Sequence, residues 1–116
     1  MNRLRVSAAL LVLGALMTAP VFAAAGWTDY GTVGEFNQQG NTTPGNEMLF
    51  IRASVTSNPS GCSDSQSFYL PVVTDVQKRM FAMLLTAKSM GSRVRFWVTG
   101  SCHLWGSAEV QAMLIE

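Results

Sequence analysis

Three strand-like segments, one amphipathic helix and two further strand-like segments follow one another along this chain. That order predicts a mainly β domain with one α-helix. Five short strands with a helix between the third and fourth is the order of an OB-like barrel, a five-stranded, partly open Greek-key barrel. The cysteines agree with it. Cys62 precedes the third strand and Cys102 follows the fourth, so two antiparallel strands bring them to one end of the barrel. An open α+β sheet with the helix on one face accepts the same pattern and stands as the competing architecture.

The domain is expected to begin after residue 23. Asn2-Arg3-Leu4-Arg5 is a short basic head, Val6 to Phe22 is apolar apart from Thr18, and Pro20 precedes the small residues Ala23-Ala24-Ala25. This is the layout of a secretory signal peptide (residues 1–23) rather than of a lasting membrane anchor. Residues 24–116 then form a single OB-like domain, secreted or periplasmic. The whole chain carries eight basic and seven acidic side chains. Arg3 and Arg5 leave with the leader, so the mature domain is close to neutral and has no basic field for nucleic acid.

The first strand is read over Gly26 to Phe36, where Trp27, Tyr30, Val33 and Phe36 stand between glycines that permit a bulge. Asn37 to Glu47 is polar and turn-rich, a surface loop containing the glycosylation-type pattern Asn41-Thr42-Thr43. In Met48 to Thr56, Leu49, Ile51, Ala53 and Val55 share one face, and Phe50, Arg52, Ser54 and Thr56 the other. After a loop with Pro59 and Gly61, the stretch "QSFYLPVV" is a third strand ending near Pro71.

Thr74 to Gly91 is the helix. Thr74 caps it, Gln77 completes a capping box, and Gly91 supplies a left-handed stop. Val76, Met80, Met83, Leu84 and Ala87 make its apolar stripe, with the methionines as core filling. In Arg93 to Thr99, Val94, Phe96 and Val98 face inward, and Arg93, Arg95, Trp97 and Thr99 outward. The last strand, Glu109 to Ile115, sets Val110, Ala112 and Leu114 against Gln111, Met113 and Ile115. Both faces are largely apolar, so a central position or a covering partner is expected.

In an oxidising compartment an even pair of cysteines is most simply a disulfide, here Cys62–Cys102. Its long loop makes it worth about 3–4 kcal/mol in the chain-entropy account. One histidine and two cysteines do not make a zinc set, so no metal and no cofactor are expected. His103 has no nucleophile elbow or paired carboxylates around it, and Asp64 between Ser63 and Ser65 reads as turn chemistry. The chain is therefore not expected to be an enzyme. Outward aromatics point to binding: Trp97, Arg95, Trp105, Met113 and Ile115 are the candidate ligand or interface residues.

The strand order, and the stretches "GCSDSQSFYLP", "LLTAKSMGSRVRFWV" and "GSCHLWG", bring in a resemblance. With its size and expected export, the chain from Met48 onward resembles the OB-fold B subunits of bacterial AB5 toxins, including the subtilase-cytotoxin type. It also resembles small exported bacterial proteins with paired cysteines. The toxin resemblance implies a non-catalytic binding module in a homo-oligomer, with a cell-surface glycan as ligand and a catalytic A-type chain as a candidate partner. The alternative is a stand-alone periplasmic or envelope protein, or an inhibitor, acting through a protein–protein surface.

Overall fold

The computed structural model describes residues 24–39, 47–103 and 105–116. The expected signal peptide and the Asn41 pattern lie outside them. The elements are β1 (Gly26–Trp27), β2 (Gly31–Gln39), β3 (Met48–Ala53), β4 (Ser67–Pro71), α1 (Asp75–Met90), β5 (Arg93–Cys102) and β6 (Ala108–Ile115).

The strand expected over Gly26 to Phe36 is divided in two. The cause is Thr28, whose hydroxyl accepts from the Phe96 amide at 3.0 Å while its own amide donates to the Phe96 carbonyl at 2.8 Å. A side chain thus takes the place of a ladder bond, and the chain turns away. Asp29 holds the turn from the other side by accepting from the amides of Thr56 and Ser57, each at 2.9 Å. Gly31 begins β2 where a Cβ would stand 2.7 Å from the Ser54–Val55 backbone, so only glycine allows this approach.

All six strands join one mixed sheet. β2–β3, β3–β4 and β5–β6 are antiparallel, and β4–β6 is parallel. The expected five-stranded OB-like barrel is corrected here. Such a barrel gives the free edge of β5 to a single first strand. That edge is instead shared: β2 meets it only at Gly31↔Val94 and Thr32↔Arg93, and β1 takes Trp27↔Trp97 and Gly26↔Val98. β4 meets β6 only at Phe68↔Ala108 and Tyr69↔Glu109. The hydrogen bonding does not close into a barrel wall, and what forms is a mixed sheet carrying one helix.

Two bulges decide which side chains reach the core. In β2 the partners step from Val33↔Ala53 to Phe36↔Ile51. The extra residue lets both Val33 and Phe36 pack on the core and turns Glu35 outward. In β6 the register steps from Val98↔Val110 to Trp97↔Ala112, leaving Gln111 unpaired. The alternation therefore reverses. Val110 is buried, Met113 and Ile115 pack against the core, and Leu114 is exposed.

The core itself is close to expectation. Leu49, Ile51, Phe68, Leu70, Leu84, Val94, Phe96 and Val98 are fully buried. The helix has its capping box: Thr74 accepts from the Gln77 amide, and the Gln77 side chain accepts from the Thr74 amide. Gly91 ends it at φ 66°. Only Met80, Leu84 and Ala87 of the stripe are buried; Val76 and Met83 are exposed. The contact is narrow because α1 meets the sheet along one line, with Phe81 edge-on to Phe36 at 6.3 Å.

Candidate functional site

The turn after β5 sets an indole at the surface. Cys62 and Cys102 are joined in a disulfide, tying the 59–66 loop to the end of β5. Beyond it the His103 amide donates to the Ser107 carbonyl, and the Gly106 amide to the His103 carbonyl, each at 2.8 Å. Gly106 has φ 74°, and a Cβ there would fall 2.0 Å from the Ser63 hydroxyl. The turn is thus pressed against the 59–66 loop, with the Asp64 amide bonded to the Gly106 carbonyl.

Trp105 projects from this turn with 61% of its surface exposed. It is nevertheless held. Its ring centre is 4.8 Å from Phe50 and 5.4 Å from His103, and His103 lies 5.2 Å from Phe50 and 5.3 Å from Tyr69. These rings explain why Phe50 and Tyr69, on the outward faces of β3 and β4, are buried at 8% exposure. His103 is half-buried among them, and its Nδ1 has no hydrogen-bond partner among the described residues. The Tyr69 hydroxyl donates to Glu109 at 2.8 Å. Burial, then that bond and the carboxylate charge, push the phenol up to about 12.

Beside Trp105 lies a cleft of about 290 Å³. Phe50 and Trp105 form its aromatic side; Glu35 and Asn37 of β2, Arg52 of β3, Asp64, and the Ser67 and Ser107 hydroxyls form the polar side. Arg52 pairs with Asp64 at 3.1 Å. The two serine hydroxyls bond to each other at 2.6 Å. Glu35 makes no hydrogen bond or ion pair among the described residues; the β2 bulge turns it to the surface, where it lines this cleft and the adjoining one formed with Thr32, Gly34, Ser54 and Gln66.

The residues expected at the site are distributed over three places. Trp105 lines the cleft. Trp97 and Arg95 belong to another cluster, in which Trp97 is edge-on to Trp27 at 5.6 Å and the Arg95 guanidinium lies 4.8 Å from Trp27 and 5.2 Å from Tyr30. Trp97 is therefore half-buried against its own chain. Met113 and Ile115 are turned to the core by the Gln111 bulge and pack half-buried against it. Sequence reasoning missed Phe50 against Trp105, Tyr69 in the ring cluster with Phe50 and His103, and Glu35, Arg52 and Asp64 in the cleft. One signal was available: Phe50 is the aromatic residue on the strand face that Arg52 also occupies.

Among the described residues no group of three or more His, Cys, Asp and Glu could hold a metal ion, and no helix is long and apolar enough to cross a membrane. An exposed indole, an ion pair and the Glu35 carboxylate around a shallow cleft suit recognition. Compared with protein-family models, curated proteins and solved structures, the chain shows no match.

Proposed function

We propose that this is an exported, non-catalytic binding protein that stands alone and acts on a protein partner through the face centred on Trp105. The observation that carries the reading is the indole itself, 61% exposed yet fixed against Phe50 and His103. A large aromatic held in one position loses little freedom on binding, and tryptophan, tyrosine and arginine dominate the energetics of protein interfaces. Arg52 stands beside it in the cleft. Met113 and Ile115 pack half-buried against the chain's own core, which leaves less of them for a ring built through them.

A glycan-binding subunit of a homo-oligomer, partnered with a catalytic A-type chain, is the second reading. It is favoured by the same indole, because a flat aromatic beside polar groups also suits the face of a sugar.

One experiment separates them. The mature protein is sized by sedimentation at micromolar concentration, and wild type and Trp105→Ala are compared on a glycan array and against enzymatically deglycosylated exported proteins. The expected result is a monomer that retains a specific deglycosylated protein, with retention lost in Trp105→Ala. A closed oligomer with a Trp105-dependent glycan signal and no protein capture would falsify the protein-partner reading.

A further inference from the structure

We propose that the cleft beside Trp105 receives an arginine side chain of the partner. This deepens the protein-partner reading and rests on it.

Charge comes first. Three charged groups line the cleft, Glu35, Arg52 and Asp64. Arg52 pairs with Asp64 at 3.1 Å, and Glu35 has no ion pair or hydrogen bond among the described residues, so the three groups give the cleft one net negative charge. A cationic guest completes this set, and a neutral one leaves Glu35 as it is.

Shape and ring chemistry select arginine among cations. The aromatic side of the cleft is made by Phe50 and Trp105, with ring centres 4.8 Å apart. A planar guanidinium stacks on such rings, sheds its hydration more easily than an ammonium and forks onto a carboxylate. The molecule uses this pairing elsewhere, with the Arg95 guanidinium 4.8 Å from the Trp27 ring. Beyond the carboxylate, the Ser67–Ser107 hydroxyl pair offers further lone pairs at the cleft wall.

Size sets the extent of the guest. Small-molecule pockets span about 300–1,000 Å³, and this cleft, at about 290 Å³, falls just short of that range. It suits one side chain delivered from a larger surface.

The test uses N-acetyl-arginine methylamide as probe, following the indole N–H resonances of the intact protein by NMR. Its neutral isostere N-acetyl-citrulline methylamide, the lysine derivative and a set of methyl pyranosides are compared with it. The Trp105 resonance, assigned by its loss in Trp105→Ala, is expected to shift saturably with the arginine derivative. Citrulline should bind about tenfold more weakly, as expected for loss of a charge-assisted hydrogen bond. Glu35→Gln should lower arginine affinity by a similar factor while leaving the Trp27 and Trp97 indole resonances in place, which reports an intact fold. Raised salt should weaken binding. Equal binding of citrulline and arginine, or an unchanged affinity in Glu35→Gln, overturns the proposal. No arginine binding while a Trp105-dependent protein partner is retained overturns this proposal alone. Saturable binding of a pyranoside without arginine binding overturns it, and without protein capture it overturns the protein-partner reading as well.

Discussion

The ring of Phe50 lies 4.8 Å from that of Trp105, tilted by 46°, yet the two residues are separated by half the chain. Phe50 is buried at 8% exposure and Trp105 is open at 61%. One ring supports and the other is presented.

That division can be measured. Phe50→Ala removes a buried ring and should cost about 3 kcal/mol. Trp105→Ala should cost less, within about 1 kcal/mol, because the indole packs on Phe50 and His103 by one side only and keeps 61% of its surface exposed. Urea unfolding of both variants is the check, and equal losses would make Trp105 a structural residue.

Reduction should have a large effect. Replacing both Cys62 and Cys102 by serine should lower stability by about 3–4 kcal/mol, since the closed loop spans 40 residues. Intact mass before and after reductive alkylation establishes the bond, and denaturant midpoints give its worth.

Tyr69 links the cluster to pH. Its phenol is pushed up to about 12 from an ordinary 10.0. A raised folded value means that the stabilisation is complete below about pH 10 and is lost as pH rises through about 12. In a Tyr30→Phe variant, Tyr69 is the sole tyrosine, and tyrosinate absorbance should report the late titration. Glu109→Gln should bring the midpoint down without restoring the ordinary value, because burial is the largest cause.

Asp29 works at the acid end. Burial opposes its ionisation, but bonds from the Thr56 hydroxyl and from the Ser57 and Thr56 amides outweigh it and hold the carboxyl below its ordinary value. The stabilisation is therefore present above about pH 4 and disappears as pH falls through the lowered folded value. Asp29→Asn should cost about 1–2 kcal/mol at pH 7. The gap to wild type should narrow in acid, as read from unfolding curves at several pH values.

The β6 bulge predicts an inversion. Unbroken alternation from Val110 puts Leu114 inward and Met113 and Ile115 outward; the structure does the reverse. Ile115→Ala should cost about 1–2 kcal/mol through lost burial, and Leu114→Ser should stay within about 0.5 kcal/mol. Thermal unfolding of the pair gives the answer directly.

The local features were legible in the sequence because short-range rules govern them. Thr74, Gln77 and Gly91 mark the helix ends through their own backbone bonds, and the period-two pattern of Leu49, Ile51 and Ala53 marks an inward face. The pairing of Cys62 with Cys102 followed from their number and the expected compartment. Three matters were decided only by tertiary structure. Thr28 breaks the first strand because its hydroxyl meets the Phe96 amide 68 residues away, and so β1 and β2 share an edge that one strand was expected to hold. Gln111 bulges because β6 must follow β5, and a single unpaired residue reverses every side chain after it. The Trp105 cleft gathers groups from β2, β3, the 59–66 loop and the turn after β5. No periodicity within one segment encodes such a meeting, because the contacts that create it exist only after the chain has folded.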